Sequence, residues 1–173
     1  MTGMAKAADG DGAPRWLDDC ELHTWRNFGA LLLRLPTELD RQLQRDSDLS
    51  LFEYFVLAGL SGAEDRSLRM STLATWTGAQ LPRLSQVASR MEARGWVSRR
   101  PDPTDGRYTL ATLTDEGFAV LKDAAPGHVE QVRTLFLDPL TRTQVKQLGV
   151  IVDRLLTNLS PDAPMPRSRR VVD

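Results

Sequence analysis

Apolar residues recur every three or four positions along six stretches of this chain, and that spacing predicts helices. Between the fourth and fifth stretches, residues 96–99 and 108–113 instead alternate as β strands do, and a segment rich in Pro, Asp and Gly joins them. Such a segment is typical of an exposed, projecting loop. The predicted helices cover residues 16–44, 50–60, 71–77, 81–94, 114–136 and 141–159, with caps predicted at Ser50, Thr114 and Thr141. Pro36 is expected to kink the first helix, and Pro126 to kink or split the fifth.

The third and fourth helices are short and separated by a tight turn. Gly78 follows the third helix and Gly95 follows the fourth, and glycine can end a helix because it adopts a left-handed conformation. Pro82 suits the first turn of the fourth helix. With the hairpin after them, these helices predict a winged helix-turn-helix within a mainly α-helical chain. The fourth helix has an apolar face and an outward face of hydrogen-bond donors. The apolar positions are Leu84, Val87, Ala88 and Met91, and the outward ones are Arg83, Gln86, Ser89 and Arg90.

Charge is balanced over the whole chain but not within this segment. The chain has 22 Lys and Arg against 23 Asp and Glu, for a net charge of −1. Residues 66–107 contain eight arginines against three acidic residues, or +5. Arginine bonds bidentately to phosphate and to guanine, although the same residues could form a solvated face with ordinary ion pairs. The order of the helices and the projecting loop favour a surface that binds nucleic acid over a merely solvated face.

These residues resemble the MarR (multiple-antibiotic-resistance regulator) family of bacterial transcription factors. The resemblance rests on Leu73-Ala74, on residues 90–97, on Arg99, on Asp-Pro-Thr-Asp-Gly-Arg at 102–107 and on Leu-Thr-Asp-Glu-Gly at 113–117. It implies a homodimer on double-stranded DNA, with the fourth helix in the major groove and Arg107 in the minor groove. Asp105 is expected to orient Arg107. Gln80-Leu81-Pro82 departs from the Ser or Thr that the family often places there. The expected DNA-binding residues are Gln80, Arg83, Ser85, Gln86, Ser89, Arg90 and Arg107.

The long first and last helices are predicted to form the dimer. We expect a single domain over 15–159, with dimerisation helices at 15–45 and 115–159 and a reader at 50–114; residues 1–14 and the basic 160–173 are expected to be disordered. A dimer predicts a pseudo-palindromic operator with half-sites about 10 bp apart. The expected interface residues are Leu17, Leu148, Val152, Leu155 and Leu159.

Other classes of function are disfavoured. The chain has no zinc-site spacing, no Gly-rich phosphate loop and no apolar run that would span a membrane or start a signal peptide, so we expect no enzyme, cofactor or metal and a cytoplasmic location. A ligand-responsive repressor is the leading hypothesis. Its small aromatic or anionic effector would contact Trp25, Tyr54 and His128, as the family resemblance implies. The alternatives are oxidant sensing through Cys20, whose acidic neighbours disfavour a thiolate, and a winged helix that binds protein rather than DNA.

Overall fold

A computed structural model describes residues 14–159. The chain divides into two compact units, residues 1–34 and 35–173, and helix α1 (Asp19–Ser47) begins in the first and ends in the second. The expected tails at 1–14 and 160–173 lie outside the described residues, apart from Pro14. The predicted domain limits at 15 and 159 remain predictions. The other helices are α2 (Leu51–Ser61), α3 (Met70–Thr77), α4 (Leu81–Ala93), α5 (Asp115–Val132) and α6 (Arg142–Leu159).

Helix α1 begins three residues later than predicted and ends three residues later. Asp18 and Glu21 bond reciprocally to each other's backbone amides, at 2.8 and 3.0 Å, and so fix the helix start at Asp19. Trp16 and Leu17 therefore precede the helix, and both are exposed. Pro36, expected to kink α1, lies within one uninterrupted helix.

Side-chain caps start three further helices where the sequence placed them. Ser50 and Glu53 form a capping box on α2, and Thr114 accepts the Gly117 amide at 3.0 Å on α5. At α6, Thr141 and Gln144 exchange the same reciprocal bonds. The three predicted caps are confirmed. Each satisfies amides that a helix start leaves without intrahelical partners.

The sheet has three strands rather than the two predicted. Strand β1 (Ser67–Arg69) pairs antiparallel with β3 (Thr109–Leu113), which also pairs antiparallel with β2 (Val97–Pro101), so the order is β1-β3-β2. Strand β1 has only three residues, which is too short for an alternating pattern to appear in the sequence. It forms because it pairs with the second edge of β3. The β2–β3 hairpin and its connecting loop form the wing, which we define as residues 97–113.

The core of the second unit lies beneath the helix-turn-helix. The four apolar positions predicted on α4 are all buried, with Leu84, Ala88 and Met91 fully so, and this confirms which face of α4 packs inward. Leu43, Leu57, Leu73 and Leu121 join them from α1, α2, α3 and α5. Pro126 lies inside α5 without splitting it, and a wide π turn (Arg133–Leu137) follows. Helix α6 has no buried residue. No helix among residues 14–159 is both long and apolar enough to cross a membrane.

Candidate nucleic-acid interface

The exposed face of α4 begins with a helix start that lacks a hydroxyl cap. Gln80 occupies the cap position with extended backbone (φ −69°, ψ 140°), and its side chain makes no capping bond. Pro82 stands in the first turn, where its missing amide costs no intrahelical hydrogen bond. The first turn of α4 therefore presents an exposed amide side chain, from Gln80, instead of a serine or threonine hydroxyl.

The side chains predicted to contact DNA differ in their exposure and in their contacts with the rest of the protein. Gln80, Gln86 and Arg90 are exposed. The Arg83 guanidinium carbon lies 5.0 Å from the centre of the Phe52 ring on α2, which holds its stem against the protein. The Arg90 side chain has no ion-pair or hydrogen-bond partner among residues 14–159. It is the freest cation on this face.

Arg99 joins the wing to α4, a role that the sequence did not reveal. Its guanidinium donates to Glu92 Oε2 at 2.7 and 3.0 Å, and its backbone amide donates to Glu92 Oε1 at 2.9 Å. It also reaches Ser89 Oγ at 2.8 Å and the Ser85 carbonyl oxygen at 3.4 Å. Hydrogen bonds from Arg99 hold the pKa of Glu92 below its usual range. The one signal in the sequence was that Glu92 is the sole acidic residue of α4.

The wing tip carries an exposed arginine held by a neighbouring carboxylate. Arg107 Nη2 and Nε lie 2.6 and 2.9 Å from the two oxygens of Asp105, and the Arg107 amide donates to the same carboxylate. The Arg107 side chain remains 83% exposed. Its hydrogen bonds hold the pKa of Asp105 below the usual range, so that carboxylate is ionised at neutral pH. The bidentate pair holds the Arg107 guanidinium beside Asp105 and leaves the arginine largely exposed at the loop surface.

Asp102 lies at the base of the wing loop, directly after the last residue of β2. It is buried, and its Oδ1 accepts the hydroxyl and the amide of Thr104 at 2.7 and 2.8 Å. Its Oδ2 accepts Arg69 Nε at 2.6 Å. The Thr104 bonds, followed by Arg69, lower the pKa of Asp102 to about 2. The backbone closes the base as well, since the Asp102 amide donates to the Tyr108 carbonyl oxygen at 2.9 Å.

Ion pairing divides the eight arginines of residues 66–107 into two groups. Five have an acidic partner: Arg66 with Asp115, Arg69 with Asp102, Arg94 with Asp48, Arg99 with Glu92 and Arg107 with Asp105. Arg83, Arg90 and Arg100 have no acidic partner within the described part of the chain. Two of the acids, Asp48 and Asp115, lie outside the 66–107 segment, so its +5 overstates the free positive charge. Arg100, exposed on β2, was not among the predicted site residues.

A groove separates α4 from the wing. Its volume is about 210 Å³, and Leu81 and Ser85 on one wall face Arg107 and Tyr108 on the other. Tyr108 is 40% exposed, and the centre of its ring lies 4.4 Å from the Arg69 guanidinium carbon. The helix face and the wing tip thus lie on either side of one groove.

The remaining predicted site residues lie elsewhere. Tyr54 and His128 are buried against each other, with ring centres 4.2 Å apart, and burial raises the pKa of Tyr54 and lowers that of His128. Trp25 lies in the N-terminal unit, where it is 60% exposed, and Cys20 is exposed there too. No group of three or more potential metal ligands occurs among the described residues. The predicted interface residues Leu17, Leu155 and Leu159 are exposed, and Leu148 and Val152 are half-buried.

Comparison with known proteins identifies the family. The family model described as MarR family matches residues 47–107, which include α2, the helix-turn-helix and the wing arginine. The structure of Sco3205 from Streptomyces coelicolor, a MarR family transcriptional regulator solved in complex with DNA, is 41% identical; the match covers 91% of this chain and 100% of that one, with a TM-score of 0.83. The chain belongs to the MarR family.

Two further relatives agree with this assignment. The MarR family regulator AbsC from Streptomyces coelicolor is 33% identical over 86% of this chain and 100% of its own, with a TM-score of 0.80. The transcriptional repressor MprA of Escherichia coli K12 is 28% identical over 106 residues, which are 61% of this chain and 60% of the repressor. All three are transcriptional regulators rather than enzymes. The family and winged-helix predictions are confirmed, and this MarR protein is a transcriptional regulator.

Proposed function

We propose that this MarR protein binds double-stranded DNA as a homodimer and represses transcription from a pseudo-palindromic operator. The observation that carries the proposal is the pairing of an exposed polar helix face on α4 with an exposed arginine at the wing tip. A helix of that width fits the major groove, while a single projecting guanidinium suits the narrow minor groove beside it. The DNA in the Sco3205 structure and the repressor MprA support the proposal by relationship.

Different residues serve different parts of DNA recognition in this proposal. Gln86 is the base reader, since its amide can both donate and accept along a base edge. Arg90 and Arg83 contact phosphates or guanine, and Gln80, Ser85 and Ser89 line the same face. Arg107 enters the minor groove, and Asp105 orients it, because their bidentate contact already selects one guanidinium direction.

Helix α6 supports the homodimer part of the proposal. It buries no residue within the chain, yet Ile151, Leu155 and Leu159 are each about half exposed or more. Soluble monomers seldom expose an apolar stripe of this length, and a second copy would cover it. Two-fold symmetry would then present two reading heads to half-sites about one helical turn apart.

Ligand response is the final part of the proposal, with a small aromatic or anionic effector acting at Tyr54 and His128. Two buried polar atoms there, His128 Nδ1 and Gln42 Oε1, have no hydrogen-bond partner among the described residues. Buried polar atoms are normally paired, so a ligand acceptor would pair with His128 Nδ1 when that nitrogen carries the proton, and a ligand donor would pair with Gln42 Oε1. Displacement of the operator by benzoate would support this effector chemistry.

Fluorescence anisotropy with DNA from upstream of the chain's own gene tests DNA binding. We expect Arg107→Ala to weaken operator binding by about 5- to 100-fold, because one minor-groove contact is lost. Lys122→Ala, which removes an exposed charge from α5 outside the reader, is the matched control and should bind like the wild type. Equal affinity for operator and scrambled DNA, or an Arg107→Ala variant that binds normally, would contradict the proposal.

A further inference from the structure

Arg99 holds the hydroxyl of Ser89 on the exposed face of α4. Its guanidinium lies between Glu92 and Ser89, and only 23% of the Arg99 side chain is exposed. Both hydrogens of Nη2 are used, since one is donated to Glu92 Oε2 at 2.7 Å and the other to Ser89 Oγ at 2.8 Å. Nε donates to the same Glu92 oxygen at 3.0 Å. The guanidinium therefore cannot turn without losing a charge-assisted hydrogen bond, and the Ser89 oxygen is held beside β2.

The direction of the hydrogen bond to Ser89 cannot be reversed. A guanidinium only donates, so Ser89 Oγ is the acceptor and its own hydrogen points elsewhere. Serine and threonine hydroxyls in helices can donate to the carbonyl oxygen four residues earlier, as Thr75 and Thr157 do here at 3.1 and 2.8 Å. For Ser89 that carbonyl oxygen belongs to Ser85, and it accepts Arg99 Nη1 at 3.4 Å instead. The Ser89 hydrogen has no acceptor among the described residues.

This hydroxyl lies on the part of α4 that the proposed function places in the major groove. Ser89 is exposed and follows Gln86 by three residues, so the two side chains are neighbours on one face of the helix. The buried residues of α4 lie on the opposite face. Hydrogen bonds in a chain polarise one another, so a hydroxyl that accepts from a cation becomes a stronger donor. Ser89 thus presents a polarised O–H group to the DNA.

The bases differ in the acceptors that they present in the major groove. Adenine and guanine both present N7, whereas guanine O6 and thymine O4 each occur on one base only, and cytosine presents a donor. A single hydroxyl cannot form the bidentate contacts that distinguish adenine from guanine. A fixed single donor is therefore best matched to N7, the acceptor that both purines share.

We propose that Arg99 fixes Ser89 as a hydrogen-bond donor that recognises a purine N7 in the major groove. Arg99 is a positioning residue in this role, because it acts through Ser89 and need not touch DNA. The inference rests on the proposed function, since it requires α4 to lie in the major groove. It adds a second base contact beside that of Gln86. At one position of each half-site, adenine and guanine are accepted alike and pyrimidines are rejected.

Fluorescence anisotropy with duplexes that lack N7 at a single purine tests the contact. The duplex is DNA from upstream of the chain's own gene, in which 7-deazaadenine or 7-deazaguanine replaces one purine at a time and keeps the base pair. In each half-site we expect one position where this replacement weakens wild-type binding by about 3- to 10-fold but leaves Ser89→Ala unaffected. Ser89→Thr keeps the hydroxyl and should keep the loss. Thr157→Ala, which removes a hydroxyl bonded within α6, is the control and should behave like the wild type.

Arg99→Gln and Arg99→Lys test the positioning role. The glutamine amide can accept as well as donate, so it no longer holds Ser89 as a donor, whereas the lysine ammonium can only donate. We expect the N7-dependent loss to shrink below about twofold in Arg99→Gln and cytosine to be tolerated better at that position. Arg99→Lys should retain most of the loss. Thermal melts check the fold of both variants, and Ser89→Ala, an exposed substitution, tests the contact independently of them.

The possible outcomes separate this inference from the proposed function. Specific binding in which no purine position shows the paired loss would overturn the inference alone. So would a Ser89→Ala variant that weakens upstream and scrambled DNA equally, because the hydroxyl would then contact a phosphate. A folded Arg99→Gln variant with the full N7-dependent loss would remove Arg99 from the contact. A wild type that binds upstream and scrambled DNA equally would refute the proposed function, and the inference with it.

Discussion

Arg69 and Asp102 form an ion pair that connects the two outer strands of the sheet. Arg69 ends β1 immediately before α3, and Asp102 follows the last residue of β2, with Nε and Oδ2 2.6 Å apart. The same guanidinium lies over the Tyr108 ring. The pair thereby ties the wing to the start of the helix-turn-helix, and Arg99 ties it to α4 in the same way. These two ion pairs hold the wing against α4 and against the start of α3 in the absence of DNA.

Asp102→Asn should loosen the wing. The variant loses the charge that faces Arg69, so we expect a lower melting temperature and weaker binding to all DNA sequences, with an intact dimer. Asp123→Asn, on an exposed part of α5, is the control. Thermal melts and anisotropy check both effects. Because the folded pKa of Asp102 is about 2, its stabilisation is present at neutral pH and is lost as the pH falls from about 4 toward 2. An unchanged melt and unchanged affinity would show that the pair does not hold the wing.

Substitutions at Gln86 and Arg90 should have different effects, on sequence specificity and on overall DNA affinity respectively. Gln86→Ala is expected to reduce discrimination between the operator and a mutated operator by about 1–3 kcal/mol, since it removes a base contact. Arg90→Ala should weaken specific and random DNA alike and make the salt dependence shallower by about one unit, because one phosphate contact is lost. Anisotropy titrations at several salt concentrations provide both quantities. Identical behaviour of the two variants would mean that α4 is not the reading helix.

Leu155→Glu should disrupt the dimer. Leu155 is 45% exposed in the single chain, and a charge there would be buried against the second copy. We expect sedimentation velocity to show monomers. Operator binding should weaken as well, because a single protomer contacts only one half-site. Thr157→Glu, exposed on the opposite side of α6, is the control and should remain dimeric. A monomeric wild type would exclude α6 as the interface.

His128 should make folding stability depend on pH. Burial lowers its pKa in the folded state, so the unfolded chain takes up the proton first. The free energy of unfolding is therefore highest above about pH 6.5 and decreases as the pH falls toward the lower folded pKa. His128→Asn should flatten this dependence between about pH 5 and 7, whereas His23→Asn, on the exposed part of α1, should not. Denaturant titrations across that range measure it, and parallel curves for both variants would contradict the assignment.

The sequence by itself determined the reading head. Apolar spacing placed the buried face of α4, and short-range signals placed its ends and the caps at Ser50, Thr114 and Thr141. These features depend on residues within one or two turns of each other, so a linear pattern contains them. The wing arginine and the family followed from a local motif in the same way.

The tertiary structure decided which charged residues of the reading head have an ion-pair partner and which do not. Strand β1 exists only because β3 has an open edge. Three of the eight arginines find acids that are distant in sequence, such as Asp48 for Arg94 and Asp115 for Arg66. Asp102 lies in the loop sequence yet is buried, because Arg69 and Thr104 satisfy its charge. The π turn that follows α5 likewise has no signal in the spacing of apolar residues. Charge along a chain is fixed by its residues, whereas free charge on a surface depends on which residues the fold brings within about 4 Å of one another.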